Sequence, residues 1–163
     1  MDVVIRKYNQ ADRDDVVRCL EGLFDYLTPL DPLKRMRRLP PWGKLYTTSL
    51  LHKIKKHTGI IFVAEINTEI VGVIARIILK QTKLDLLEVK PTKSGRILEL
   101  FVDENFRGKR IGKRLMNTME DYFRNAGCDF ARIEVFEPNT SAHRFYEALD
   151  YDDRAVDLVK SLS

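Results

Sequence analysis

The apolar positions of this chain change period several times, and each change marks an element. Val3, Val4 and Ile5, with polar neighbours, predict a short first strand. Val16, Leu20, Leu23, Phe24 and Leu27 then recur at helical spacing, with Asn9 or Asp12 available as a cap. Pro29, Pro32, Pro40 and Pro41 break the chain into a loop, and residues 43–57 read as a second, less sharply patterned helix. Thr58-Gly59 ends it and opens the β-branched run Ile60–Ile66. Asn67-Thr68-Glu69 turns that run into Ile70–Leu79, which predicts an antiparallel hairpin. Residues 81–95 read as a loop carrying a strand fragment at Leu84–Val89.

Ile97–Val102 is the next predicted strand, ended by Asp103-Glu104-Asn105. The sharpest helical stripe follows: Ile111, Leu115, Met119, Tyr122, Phe123 and Ala126, stopped by Gly127. Ala131, Ile133 and Val135 alternate as a strand. Pro138-Asn139-Thr140 then starts a helix with Ala142, Phe145, Tyr146 and Leu149 on one face. Tyr151–Val159 is expected to close the chain as a final strand. This order, with no internal repeat and no linker, predicts a single mixed α/β domain over residues 1–163.

At 44% hydrophobic and 32% charged residues, the chain has the balance of a globular protein and not of a collagen-like, mucin-like or wholly disordered one. Its apolar runs reach only about five residues, against the roughly 20 needed to cross a bilayer. The N-terminus lacks the pattern of a secretion signal, and Cys19 and Cys128 form neither a Cys-x-x-Cys motif nor a disulfide framework. A reduced, cytoplasmic setting is the expectation. In that setting the Asn139-Thr140-Ser141 glycosylation triplet is idle. His52, His57 and His143 show no metal-ligand spacing, so no metal site is expected.

Charge is unevenly spread. Residues 32–64 hold eight basic side chains (Lys34, Arg35, Arg37, Arg38, Lys44, Lys53, Lys55, Lys56) and no acidic one, whereas residues 91–163 hold 12 basic and 13 acidic. The basic run is either a solvated face or a surface for an anionic partner. Nucleic acid is disfavoured as that partner, since no RNP-type aromatic motif or zinc finger accompanies the run.

The chemistry concentrates at Arg107-Gly108-Lys109-Arg110-Ile111-Gly112-Lys113, between a predicted buried strand and the best helix. A glycine-containing turn there aims main-chain N–H groups and the positive helix end at one point, which suits a phosphate or pyrophosphate. The alternative is an ordinary basic helix start. It is not a P-loop: only three residues separate the glycines, and Arg114 stands where Ser or Thr is needed. The dinucleotide fingerprint G-x-G-x-x-G is also absent.

Together, Ile97–Val102, the Arg107–Gly112 turn and the segment Asn139-Thr140-Ser141-Ala142-His143-Arg144-Phe145-Tyr146 resemble the GNAT acetyltransferase superfamily. The family loop reads Arg or Gln, two residues, Gly or Ala, one residue, Gly or Ala. Arg107 and Gly112 match it, whereas Arg110 occupies the first small position. Asn139, Ala142, Phe145 and Tyr146 match the later motif, although Asp150 stands where a Gly is usual.

The resemblance implies a GNAT fold: a central mixed, mostly antiparallel sheet with a splayed strand pair, flanked by about four helices. It implies acetyl-CoA as acyl donor, lying in the splay between the strands near 97–102 and 130–136. Leu100, Phe101 and Val102 would then offer main-chain groups to the pantetheine arm and thioester carbonyl, one N–H stabilising the oxyanion of acyl transfer. Arg107, Gly108, Lys109, Arg110, Ile111, Gly112 and Lys113 would hold the pyrophosphate, and Asn139 would reach the cofactor from the other side.

The implied reaction is direct attack of an amine on the thioester. An alkylamine of pKa ~10 must first lose a proton, and the departing thiolate, of pKa ~8.5, gains from receiving one. Tyr146 matches the family's general acid; the alternative is a core aromatic beside Phe145. Glu99 is the candidate base, directly or through a water, because a carboxylate on an internal strand needs a reason to be there. A salt bridge or a solvated strand edge is its other reading.

The acceptor is expected against the first two helices and their loop, near residues 24–57. The basic run there disfavours a polycation and favours an amine that also carries negative charge, or an acidic peptide. An N-terminal or lysine protein acetyltransferase and a non-catalytic acyl-CoA-binding module are the alternatives, and a homodimer is a further expectation by analogy.

Overall fold

The computed structural model describes residues 2–162. Five strands form one sheet in the order β1 (Val4–Lys7), β2 (Ile60–Ile66), β3 (Glu69–Leu79), β4 (Ser94–Val102), β5 (Phe130–Arg132). The first three pairings are antiparallel and β4–β5 is parallel. A parallel neighbour needs a crossover, and the helix α4 (Ile111–Asn125) supplies it. The helices α1 (Arg13–Leu27) and α2 (Trp42–Lys56) cover one face of the sheet. The other face carries α4 and α5 (Thr140–Glu147). The mixed α/β architecture with four main flanking helices is the one expected from the chain pattern; α3 (Asp85–Glu88) is a single turn.

Local chemistry explains the boundaries. The Asn9 side chain accepts from Ala11 N at 2.8 Å, and the Asp12 carboxylate accepts from Asn9 N at 2.7 Å. The buried Asp12 also pairs with Arg6 of β1 at 2.8 Å, tying the start of α1 to the sheet. Asn67 and Thr68, both at positive φ, make the two-residue turn of the β2–β3 hairpin. At the end of α4, Gly127 (φ +70) lets Cys128 N reach Phe123 O at 2.9 Å and its own N–H reach Arg124 O at 2.9 Å, satisfying carbonyls that the helix would otherwise leave open.

The core lies in two clusters, one on each sheet face. Val16, Cys19, Leu20 and Leu50 pack on Ile61, Val63, Val73 and Phe101. On the other side Ile111, Leu115, Met116, Met119 and Phe123 pack on Phe62, Ala64, Ile74 and Ile97. β3 is buried on both faces, as a central strand with helices above and below must be. Arg76 on that strand is fully buried, its guanidinium 4.1 Å from the Tyr122 ring centre and donating to Thr58 O at 3.0 Å; burial holds its pKa below the usual value.

Three expectations are corrected. Leu84–Val89 is not a strand: the Asp85 carboxylate caps Thr82 N at 2.6 Å and starts the turn α3. The strand expected through Val135 ends at Arg132. Residues 151–162 form no strand, because β5 stops too soon to offer a ladder, and Val156, Leu158 and Val159 stay exposed. Tyr151 nevertheless anchors this segment edge-on to Tyr146 at 5.9 Å, and the His143 ring meets Asp153 Oδ1 at 2.8 Å.

Candidate active site

The β4–α4 turn is built for exposed main-chain donors. Arg107 is fixed by its Nε donating to Val102 O at 3.1 Å and by its guanidinium lying 4.7 Å from the Tyr26 ring centre. Gly108 has φ +74, and a Cβ there would meet nothing within 4 Å, so the turn is open on that side. Lys109 curls back, donating to Asn105 O at 3.1 Å. Arg110 sits in the left-handed region at φ 61 with its side chain exposed, which explains why a small residue is favoured at that position.

From there α4 begins with no side-chain cap and no acidic residue in its first turn; Arg114 N to Arg110 O, 3.0 Å, is its first bond. The N–H groups of Ile111, Gly112 and Lys113 therefore remain available at the positive end of the helix. The buried Ile111 side chain pins this end to the core. At Gly112 a Cβ would stand 3.3 Å from the Phe145 ring, so glycine allows α5 to close against the start of α4.

Beside the turn, the sheet splays. β5 pairs with β4 only at Ser94, Gly95 and Arg96, so from Ile97 to Val102 one edge of β4 has no strand neighbour. Leu100 and Val102 turn their side chains to the α4 face and Phe101 to the α1 face, where Gly22 leaves room for its ring. Main-chain groups of Leu100 and Val102 point to that open edge, whereas those of Phe101 face Val73 of β3, in phase with Asp103 N donating to Val71 O at 2.9 Å, so Phe101 is not a main-chain contact for the donor.

Glu99 owes its direction to a bulge. Ala75 pairs with Glu99 but Arg76 with Ile97, so Leu98 is an extra residue. The extra residue resets the alternation: Ile97 faces α4, whereas Leu98 and Glu99 face α1 and α2. There the Tyr46 hydroxyl donates to Glu99 Oε1. Tyr46 is held by stacking on Trp42 at 4.8 Å, and Trp42 in turn lies 4.4 Å from Phe24. Burial raises the Glu99 pKa above the usual carboxylate value, opposed by the Tyr46 hydrogen bond and by the field of Lys53. Beside it opens a cavity of about 210 Å³ lined by Tyr46, Ser49, Leu50, Lys53, Arg96, Leu98 and Glu99.

Tyr146 approaches from the other face of the sheet. It is buried in the α4-side cluster, edge-on to Phe145 at 5.2 Å. Its hydroxyl has no hydrogen-bond partner among the described residues and is not sealed from solvent. Burial pushes its pKa up, so the phenol keeps its proton at neutral pH. The buried Asn139 caps α5, its Oδ1 accepting from Ala142 N at 3.2 Å and from the Tyr26 hydroxyl at 3.3 Å. Tyr26 thus joins the Arg107 turn to the start of α5.

The Acetyltransferase (GNAT) family profile matches residues 20–151, which span the splay, the glycine turn and α5. The chain belongs to the GNAT acetyltransferase family. An uncharacterized N-acetyltransferase of Archaeoglobus fulgidus is 34% identical over 150 residues, 90% of each chain. Another, of Methanocaldococcus jannaschii, is 30% identical over 156 residues, 94% of this chain and 81% of the relative. Among solved structures, a Bacillus halodurans protein studied as a mutant superposes with TM-score 0.86 at 19% identity, over 98% of this chain and 99% of that one. AAC(6')-Iy in complex with the bisubstrate analogue CoA-S-monomethyl-acetylneamine superposes with TM-score 0.71 at 16% identity, over 99% of both.

Within this GNAT chain, the structure brings Leu100 to Val102, Arg107 to Lys113, Asn139 and Tyr146 around one end of the splay, with Glu99 on the facing side of β4. Tyr26, Tyr46 and Arg96 are not among the site residues the sequence points to, and Lys53 enters there only as one of the eight basic residues of the run. Tyr46 carried a weak signal, an aromatic hydroxyl in a poorly striped helix. Arg96 carried none. The basic run does not act as a block: Arg38 is neutralised by Asp25 at 2.7 Å and Glu21 at 3.4 Å. Lys34, Arg35, Arg37, Lys44, Lys55 and Lys56 are exposed away from the cavity, and of the run Lys53 alone lines it. Among the described residues no helix is long and apolar enough to cross a membrane, and no cluster of three or more His, Cys, Asp or Glu could hold a metal.

Proposed function

We propose that this protein is an acetyl-CoA-dependent N-acetyltransferase that passes an acetyl group directly to a primary amine of a small molecule or peptide. One observation carries the reading: an uncapped, acid-free helix start, with Gly108 open before it, beside a sheet edge that has lost its neighbour. These features fit the donor. The N–H groups at Ile111, Gly112 and Lys113, with Arg107 to Arg110, would hold its pyrophosphate. Main-chain groups of Leu100 and Val102 would line its arm, and the Asn139 amide would reach it from α5. When bound, acetyl-CoA supplies an activated acetyl thioester.

The protein's own side chains handle the protons. Glu99, made more basic by burial, accepts one from the acceptor ammonium, directly or through a water. Tyr46 holds one carboxylate oxygen and leaves the other for that work. Tyr146, kept protonated by burial, gives a proton to the departing sulfur. The small size of the cavity beside Glu99, about 210 Å³, favours a small amine over a peptide groove.

Calorimetry with coenzyme A, followed by thiol release from acetyl-CoA across an amine panel, tests the proposal. Heat of binding together with amine-dependent thiol release is the expected result. Binding without release on a broad panel would favour a non-catalytic acyl-CoA module, and absence of binding would overturn the assignment.

A further inference from the structure

The cavity beside Glu99 has two electrically different ends. At one, the Tyr46 hydroxyl meets the Glu99 carboxylate. At the other stand Arg96 and Lys53. Arg96 lies three residues back along β4, and Lys53 lies seven residues, about two turns, further along α2. The end of α2 does run toward the Arg96 end of β4: His57 O accepts from Ile78 N at 3.2 Å, and Ile78 pairs with Gly95. The two cations therefore come from different elements to the same end.

Neither cation is committed to the fold. The Lys53 side chain has no ion pair or hydrogen bond among the described residues and acts on Glu99 only through its field. Arg96 meets Glu134 through one Nη2, and that glutamate side chain is 81% exposed, a partner that water or a ligand can replace. The rest of the guanidinium fork is free to receive an anion.

We propose that Lys53 and Arg96 form an anion clamp, which makes the acceptor a small amine that also bears a carboxylate or phosphate a few bonds from its nitrogen. The ammonium lies toward Glu99 and the acid group toward the clamp, so the molecule's dipole matches that of the cavity. Polyamines are excluded by the same two cations. The cavity, about 210 Å³, lies below the range of drug-sized sites and matches the size of a short zwitterion. The clamp rests on the N-acetyltransferase reading for its amine end, and the experiment separates the two.

Three matched pairs serve as probes: O-phosphoethanolamine against ethanolamine, β-alanine against its amide, and 4-aminobutyrate against its amide. Thiol release from acetyl-CoA gives kcat/KM for each, and calorimetry of the same compounds reads binding without turnover. At least a tenfold preference for the anionic member is expected, weakened by salt. Lys53→Gln and Arg96→Gln should each lower that preference about tenfold, equivalent to about 1.4 kcal/mol, through KM. Lys55→Gln, a neighbour on another side of α2, should leave it unchanged. Equal or better use of the neutral members overturns the clamp, as does a preference that survives both substitutions. So does coenzyme A binding with no anionic probe bound or acetylated, or acetylation confined to an acidic peptide. If coenzyme A itself fails to bind, the acetyltransferase reading falls, and the calorimetric pairs still decide the clamp.

Discussion

The Tyr46 hydroxyl on α2 donates to the Glu99 carboxylate on β4, two residues far apart in sequence that meet because a bulge at Leu98 turns Glu99 toward the helices. The bond orients the carboxylate and favours its charged form, against burial that favours the neutral form. A base works only when deprotonated, so kcat/KM should fall as pH drops through the raised Glu99 pKa. Tyr46→Phe removes a group that lowers this pKa. The acid limb of the kcat/KM–pH profile should therefore move to higher pH, with a smaller effect on the plateau. Glu99→Gln should remove that limb and cost about 10²–10⁴-fold in kcat.

Tyr146→Phe tests the proposed proton donor. The hydroxyl makes no bond within the described residues, so its loss should leave thermal stability within about 0.5 kcal/mol of wild type. The rate should drop by roughly 10²-fold or more, with coenzyme A affinity little changed. Equal rates for the two proteins would assign the ring to packing alone.

Arg110 adopts φ 61 just before α4 with its side chain exposed. A non-glycine residue in that conformation costs about 1–2 kcal/mol, while glycine gives back about 0.4–1 through its freer unfolded chain. Arg110→Gly should raise stability by roughly 0.5–1 kcal/mol in urea unfolding, and Arg110→Ala should not.

Asp12 is buried, paired with Arg6, and held below the usual carboxylate range chiefly by that guanidinium. A lowered folded pKa stabilises the protein above the unfolded value, near 3.9, and that contribution disappears as pH falls through the folded one. Asp12→Asn should cost about 1–2 kcal/mol at pH 7, the modest end because Arg6 is partly exposed. The gap between variant and wild type should narrow on acidification, measured by denaturant titration from pH 7 to pH 2.

Much of the site could be read in the chain because it depends on local rules. The Arg107–Gly112 turn is legible since a strand, a turn residue at positive φ and an amphipathic helix are each written within a few residues. Asn139 and Tyr146 follow from one short helix. The shape of the cavity beside Glu99 was not legible: Tyr46 and Lys53 lie in the stretch expected to face an acceptor, but their meeting with Arg96 joins two elements whose packing no short window encodes. The expected closing strand at 151–159 failed for the same reason. Its alternation was present, but a strand exists only where a neighbour offers a ladder, and β5 ends at Arg132.

The sequence by itself determined the order of elements from the first strand to the helix at Thr140, the family pattern and the open glycine turn before α4, all set by short-range periodicity and turn chemistry. Tertiary structure alone decided where the sheet opens, which face Glu99 takes and which two cations of this basic chain share its cavity. Those outcomes depend on pairing register and helix docking, where one inserted residue such as Leu98 reverses the alternation of a strand.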